Sequence, residues 1–469
     1  MPFDFSLSKD VSKKGIGIWG MGVSGLAVCS ALLRYLPDIG YRIPLFLRDR
    51  RADATLPQEL KNRPHVFFYT GEGWDKDVRE SVLFRSPGIR PDILAFEQAK
   101  AMGKILTSEM SWFFAKCPSP VYAITGSDGK TTTSTMTASV LSAWRQAHTY
   151  LGGNIGISLL PMLDRLTVHD RVVLELSSFQ LWDIAPSTDA SAILNISENH
   201  LDMHQDMAEY IETKSHILTH AKRRVLWDDC PHYLDFLRQE DTLCSFSHPL
   251  SYLQKTYPCH SFVWRAGERL YYTEGRATHT LFSTHDMYVG GMHNIKNAMT
   301  VIGLLGGVVT KEALFRGICH FRGVPHRMQY VGEFQGVRCY DSAIDTTPAR
   351  VHATLSSFEG KSTVICGGSD KGLSYDPLAK TLLEFADLVV LSGATAPKIL
   401  KAIAQFPAPQ KPPVYHVENF GEAVTYALSH TPKGGRLILS PGSASFDQFA
   451  SYKQKGDAFL AYLAKYTKE

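Results

Sequence analysis

Short apolar runs recur along this chain, and several of them stop abruptly on glycine. Three junctions share one form: "GIGIWGMGVSG" at 15–25, "VYAITGSDGKTTT" at 121–133 and "STVICGGSDKG" at 362–372. A short uninterrupted apolar run reads as a strand buried on both faces, and the glycine after it as a tight turn into a helix. Such strands, alternating with helical stretches, predict doubly wound α/β units, one in each third of the chain. Prolines punctuate "AKCPSP" (115–120) and "FRGVPHR" (321–327), which supply the joints. Three domains follow, over residues 1–117, 118–324 and 325–469.

Two further patterns belong to the middle third. "RVVLELSSFQL" (171–181) predicts a buried strand ending at Glu175. After it, Asp206 caps a helix whose apolar stripe runs Tyr210, Ile211, Ile217, Leu218 and Ala221, and the i, i+3/i+4 spacing puts Lys214 on that same stripe. A lysine there either snorkels out along its stem or is held neutral, because a buried ammonium is costly and readily loses its proton. A neutral amine can take up CO2 as a carbamate, an anion suited to a hard metal ion. Residues 228–286 are polar, aromatic-rich and weakly periodic, and predict a β-rich insertion in the middle domain.

Composition narrows the class. The 469 residues are 44% hydrophobic and 20% charged, ordinary values for a globular chain. Eight cysteines contain no C-x-x-C pair, which argues against a disulfide framework or zinc ribbon and fits a reducing cytoplasm. "MPFDFSLSKD" carries two acids and no apolar core, and no apolar run approaches the ~18 residues of a membrane span, so a soluble, uncleaved cytoplasmic protein is expected. A net charge of +3, with basic residues dispersed among acids, gives no nucleic-acid footprint. A monomer acting on small anionic molecules is the expectation.

The chemistry sits at the glycine junctions. Gly126-Ser127-Asp128-Gly129-Lys130-Thr131 is a phosphate loop two residues shorter than G-x-x-x-x-G-K-[ST]. It keeps the working parts: glycines that let backbone N–H groups approach, a lysine charge, and a hydroxyl for magnesium. An acid at a neighbouring strand end, here Glu175, is the usual second magnesium ligand. His200, in the loop before the Lys214 helix, could share an ion with that lysine. Gly20-x-Gly22-x-x-Gly25 after a strand, with Asp49 about twenty residues on, fits the diphosphate of NAD or of a UDP-sugar equally, since its physics is only a pyrophosphate on a helix N-terminus. "FRSPGI" (84–89) supplies a second loop against it.

Taken in order, these elements resemble the Mur ligase family of ATP-dependent peptidoglycan amino-acid ligases. The resemblance rests on "SPGI" from 86, "ITGSDGKTT" from 124, "GGNIG" from 152, "LELSSFQL" from 174, "NISENHLDMH" from 195, "MHNIKNA" from 292, "GVPHR" from 323, "GGSDKG" from 367 and "LSPGSASFDQF" from 439. "LELSSFQL" with "SPGSASFDQF" points to the D-glutamate-adding branch. It implies an α/β protein with a Rossmann-like UDP-substrate domain, a P-loop ATPase domain and a Rossmann-like amino-acid domain. It further implies UDP-N-acetylmuramoyl-L-alanine and D-glutamate as substrates, ATP and two magnesium ions, and an acyl-phosphate intermediate.

Carried over residue by residue, the resemblance puts Gly126, Ser127, Asp128, Gly129, Lys130, Thr131, Thr132, Asn294, Arg327 and Asp341 at ATP. Thr131, Glu175, His200 and a carbamylated Lys214 would serve magnesium, with Lys130, His200 and Lys214 the catalytic set. Gly22, Val23, Ser24, Asp49, Arg50, Ser86, Pro87, Gly88 and Asn154 would meet the UDP-linked substrate, and Lys371, Ser445, Phe446 and Tyr452 would meet D-glutamate. One departure stands out in "YDSAIDTTPAR" (340–350): Ala343 falls where family members often carry lysine, and Asp345 falls near a threonine position that would help bind glutamate.

Overall fold

Each of the three glycine junctions lies in a different sheet. The computed structural model describes residues 9–199, 201, 203–370, 373–407 and 411–466. His200 and Lys371 therefore lie outside the described residues. The chain divides into two compact units, residues 1–321 and 322–469.

The first unit holds two large sheets. One has five parallel strands in the order Val66–Thr70, Leu45–Asp49, Ile16–Trp19, Val82–Arg85, Ile105–Ser108. Chain direction across the sheet reverses between the third and fourth of these, the topological switch point at which doubly wound sheets bind ligands beyond the strand ends. Strand Ile16–Trp19 is buried throughout, as its uninterrupted apolar run requires.

The second sheet has nine strands. Within it Val121–Thr125, third from one edge, is flanked by Ala190–Ile193 and Arg171–Glu175, all parallel. Helix Lys130–Trp144 packs against helices Met292–Leu305 and Lys311–Cys319. Gly317 is required at this contact, because a Cβ there would stand 2.3 Å from Val140 Cα.

Two sequence expectations need correction here. The 228–286 region is β-rich, but it continues the central sheet rather than forming an insertion. Thr242–Ser245 and Ser261–Ala266 add in parallel beyond Arg224–Trp227, and Arg269–Glu274 and Ala277–Ser283 follow antiparallel. The strand Arg224–Trp227 offers an edge that the wholly buried Thr242–Ser245 completes, and buried pairing overrides the weak local pattern. The helix predicted through Ala221 ends at Ser215. Ile217 and Leu218 remain buried, but in a tight turn, and Ala221 lies in a two-residue strand paired with Ser187–Thr188.

In the second unit, six strands run Gln329–Phe334, Val337–Asp341, Arg436–Leu439, Ser362–Cys366, Ala386–Ser392, Val414–Val417; only the first pairs antiparallel. Two apolar clusters, one around Leu378, Val389 and Ile399 and one around Phe420, Val424 and Phe459, give this unit its own core. Seven of the eight cysteines are buried and Cys117 is partly exposed; all are free thiols. Among the described residues no helix is long and apolar enough to cross a membrane.

Candidate active site

The phosphate loop leaves strand Val121–Thr125 and turns into helix Lys130–Trp144 through two glycines at positive φ, Gly126 at 155° and Gly129 at 79°. No other residue fits the second position: its backbone is left-handed, and a Cβ there would stand 2.7 Å from Asn297 Oδ1. The loop is pinned from behind. Ser127 Oγ accepts the Ser197 amide at 2.9 Å and shares a hydrogen bond with Tyr210 Oη at 3.0 Å, while the Asp128 amide donates to Asn195 Oδ1 at 2.9 Å. No side chain caps the helix start, so its first-turn N–H groups remain available to an anion. Lys130 Nζ donates to the carbonyls of Gly126 and Ser127 at 3.0 and 2.9 Å, and Thr131 and Thr132 stand half-buried on the first turn.

Glu175 ends the adjacent strand and is 2% exposed. Its Oε1 accepts from Asn154 Nδ2 at 2.8 Å, whereas its buried Oε2 has no hydrogen-bond partner. An orphaned buried carboxylate oxygen is costly, and a hard cation is what it fits. Lys214 comes from the other side. It is 2% exposed, and its Nζ donates to Gly126 O at 2.9 Å and Thr125 Oγ1 at 3.3 Å, above the Tyr210 ring. The ammonium is inside the fold, so the snorkelling alternative falls away. Burial, then the Lys130 charge, push its pKa down to about 7, while Asp128 and Glu175 pull the other way. Among the described residues no group of three or more His, Cys, Asp or Glu forms a complete metal cage. Glu175 Oε2 fits one ligand of a hard cation that would draw its other oxygens from elsewhere.

At the switch point of the five-stranded sheet the three glycines have different duties. A Cβ on Gly20 would meet Ser86 Cβ at 2.8 Å and one on Gly25 would meet Gly20 O at 1.9 Å, but Gly22 has open space. Gly22 begins helix Val23–Tyr35 without a side-chain cap, leaving room for a ligand at its first turn, Val23 exposed and Ser24 half-buried. Ser86 Oγ donates to Gly20 O at 2.7 Å, and Pro87 and Gly88 continue that loop. Asp49 is committed within its own loop: Oδ2 accepts the Met21 amide at 2.7 Å and Oδ1 the Arg51 amide at 2.8 Å. Burial works to raise its pKa, but the Arg51 guanidinium and these two amides outweigh that and hold it at about 2. Arg50 is exposed; Arg51, which the sequence reading passed over, pairs with Asp49.

Asn294 Nδ2 donates to Gly290 O at 2.8 Å, and Asn297, one turn on in the same helix, stands beside Gly129 of the phosphate loop. In the second unit Arg327 is exposed, but Asp341 is fully buried: His326 Nδ1 lies 2.7 Å from Oδ2, and the Ala343 amide donates to Oδ1 at 2.9 Å. As placed, Asp341 orients His326, whose pKa that hydrogen bond raises. Ala343 is fully buried in the apolar cluster around Phe420. Asp345 is buried against Ser440 Oγ, which donates to it at 2.8 Å, and burial pushes its pKa up. Ser445 is buried with an unpartnered hydroxyl, Phe446 is exposed, and Tyr452 opens helix Tyr452–Leu463 edge-on to His326. The sequence reading also passed over Lys455, one turn along that helix, buried and donating to Gly367 O at 2.6 Å; burial lowers its pKa to about 8.

Comparison with known proteins places this geometry. Residues 124–305 match the Mur ligase middle domain and 326–444 the Mur ligase glutamate ligase domain. Among relatives, UDP-N-acetylmuramoylalanine--D-glutamate ligase from Ruminiclostridium cellulolyticum is 34% identical over 465 residues, covering 96% of each chain. The protein of the same name from Acetivibrio thermocellus is 32% identical over 461 residues, again covering 96% of each. Among solved structures, UDP-N-acetylmuramate-alanine ligase MurC from Thermotoga maritima is similar in fold, with TM-score 0.52 and 17% identity over 96% of this chain and 99% of that one. A phosphate loop braced by a buried lysine, next to a strand that ends on a buried glutamate, in a chain matched along nearly its whole length, identifies this protein as a member of the Mur ligase family.

Proposed function

We infer that this chain performs the reaction for which its full-length relatives are named, the ATP-dependent joining of D-glutamate to UDP-N-acetylmuramoyl-L-alanine in peptidoglycan precursor synthesis. The observation that carries this reading is the convergence of Lys130, Lys214 and Glu175 on one phosphate loop in a chain matched end to end by such ligases.

The chemistry asks a substrate carboxylate to approach the γ-phosphoryl group of ATP. Two like unit charges 4 Å apart repel by about 4 kcal/mol at an effective dielectric near 20, so positive charge must be placed between them. Magnesium, for which Thr131, Glu175, His200 and a carbamate on Lys214 would be the protein ligands, supplies that charge when bound. Lys130, now turned onto its own loop carbonyls, neutralises the transferring phosphoryl group, and the first-turn amides of helix Lys130–Trp144 receive its oxygens. No protein nucleophile is needed, because catalysis of this kind is mainly positioning and charge neutralisation. Capture of the γ-phosphoryl group by the carboxylate expels ADP, and the acyl phosphate so formed is attacked at its acyl carbon by the amine of D-glutamate, forming the amide and releasing orthophosphate and a proton. Residues 1–117 hold the UDP-linked substrate, 118–324 ATP, and 325–469 the amino acid, with Ser445, Phe446, Tyr452 and Lys371 its candidate contacts. UDP-linked and free amino-acid substrates of this kind point to a cytoplasmic site of action.

The test is a turnover assay with UDP-N-acetylmuramoyl-L-alanine labelled with heavy oxygen in its carboxyl group. One labelled atom is expected in each orthophosphate released with D-glutamate. Unlabelled orthophosphate, or release with L-alanine or a diamino acid in place of D-glutamate, would refute the reading.

A further inference from the structure

Two arginines of the first sheet reach into the second. Arg85 ends strand Val82–Arg85 and its side chain is wholly buried. Its guanidinium gathers the loop that follows it, donating to Ser86 O at 3.2 Å and Ile89 O at 2.5 Å. The same group crosses to the segment after Glu175, donating to Phe179 O at 3.0 Å and pairing with Asp183. Arg90, at the far end of the same loop, pairs with its neighbour Asp92 at 2.8 Å and also, at 2.8 Å, with Glu209 on helix Met207–Ser215, the helix that carries Lys214, and donates to Met203 O. Between them lies Trp182, with Arg85 5.6 Å and Arg90 5.4 Å from its ring.

Both ends of this arrangement touch chemistry. The loop the arginines hold at 86–89 faces the first glycine turn through Ser86 and Gly20. The segments they grip begin three residues beyond Glu175 and include the helix of Lys214. Neither a buried guanidinium–carboxylate pair, whose desolvation offsets attraction, nor a partly exposed one contributes much net stability, so two cationic ties from one loop to two segments near Glu175 and Lys214 call for another explanation.

We propose that Arg85 and Arg90 are positioning residues for acyl-phosphate formation, fixing the diphosphate-side loop at 86–89 relative to the strand end of Glu175 and the helix of Lys214. The proposal rests on the ligase reading above. Transfer of a phosphoryl group between two separately bound substrates is steeply sensitive to their separation, and a misplacement of about 1 Å costs on the order of a hundredfold in rate.

Arg90 is the one to test, because its side chain is 22% exposed and its removal leaves a surface slot rather than a buried unpaired charge. In Arg90→Met, kcat is expected to fall at least about tenfold, a fraction of the full misplacement effect, with KM for ATP and for the UDP-linked substrate nearly unchanged and the thermal midpoint close to that of the wild type. Arg90→Lys should recover part of the rate. Glu209→Gln should reproduce the loss, and the double variant should be no worse than either single one, the signature of a shared tie. Unchanged kcat, a rise confined to KM for the UDP-linked substrate, or additive losses would overturn the proposal. A wild-type protein without ligase turnover would overturn the reading beneath it, and the proposal with it.

Discussion

At the scale of single residues, Lys214 carries the sharpest prediction. Only its neutral amine can capture CO2, and with a pKa near 7 the neutral fraction grows as pH rises through that value. Turnover should therefore climb between about pH 6 and 8, fall when dissolved CO2 is removed, and return on adding bicarbonate; a rate indifferent to bicarbonate would remove the carbamate. Lys214→Arg keeps the charge but cannot form that group, and should lose activity more than a hundredfold by phosphate-release assay, the scale on which a lost positioning group acts. Lys214 was legible in the sequence because its position on an apolar stripe is a local pattern. Asn297 and Lys455 were not, since an asparagine or lysine in a helix gains significance only from what packs against it, Gly129 in one case and Gly367 O in the other. Asp49 shows the converse: its spacing from the glycines was correctly read, but Arg51 and the Met21 amide claim its oxygens.

Secondary-structure elements tell a similar story at larger scale. The cap of helix Met207–Ser215 was readable, and Asp206 Oδ1 accepts the Glu209 amide at 2.8 Å. Losing such a cap costs about 1 kcal/mol, so Asp206→Ala should lower amide-exchange protection across 207–215 about fivefold. Protection unchanged there would mean that tertiary contacts alone hold this helix. Its C-terminal end was not readable, because Ile217 and Leu218 stay apolar and buried while the backbone tightens to deliver the chain to strand Arg224–Trp227. Apolar periodicity reports burial, and burial survives a change of helix type. The β-rich character of 228–286 was read, but the joining of its strands to the central sheet was not, for a related reason. Strand Ala277–Ser283 is exposed along its first four residues, so it lacks the alternation that marks a half-buried strand.

For the whole molecule, the α/β class and the three strand-to-glycine junctions were visible in the sequence, whereas the sharing of one compact unit by the first two sheets was not. Arg85, Arg90 and Trp182, residues without any local signature, are among the contacts that join them, as are Arg34 and Tyr35 to Asp164. The second unit has separate apolar clusters on its sheet, and residues 322–469 expressed alone should show a cooperative thermal transition by circular dichroism, as a chain of this size with its own core can. A featureless melt would show that it borrows stability from the remainder.

The burial of the cysteines has a practical corollary. Thiolate, not thiol, reacts with alkylating agents, and burial raises the pKa of all eight sulfurs, but only Cys117 is partly exposed to reagent. A brief iodoacetamide pulse should therefore mark Cys117 alone in the native protein. Because Cys339 and Cys366 belong to one unit and the rest to the other, peptide mass mapping after pulses at rising denaturant would give an eight-point chronometer of which half opens first.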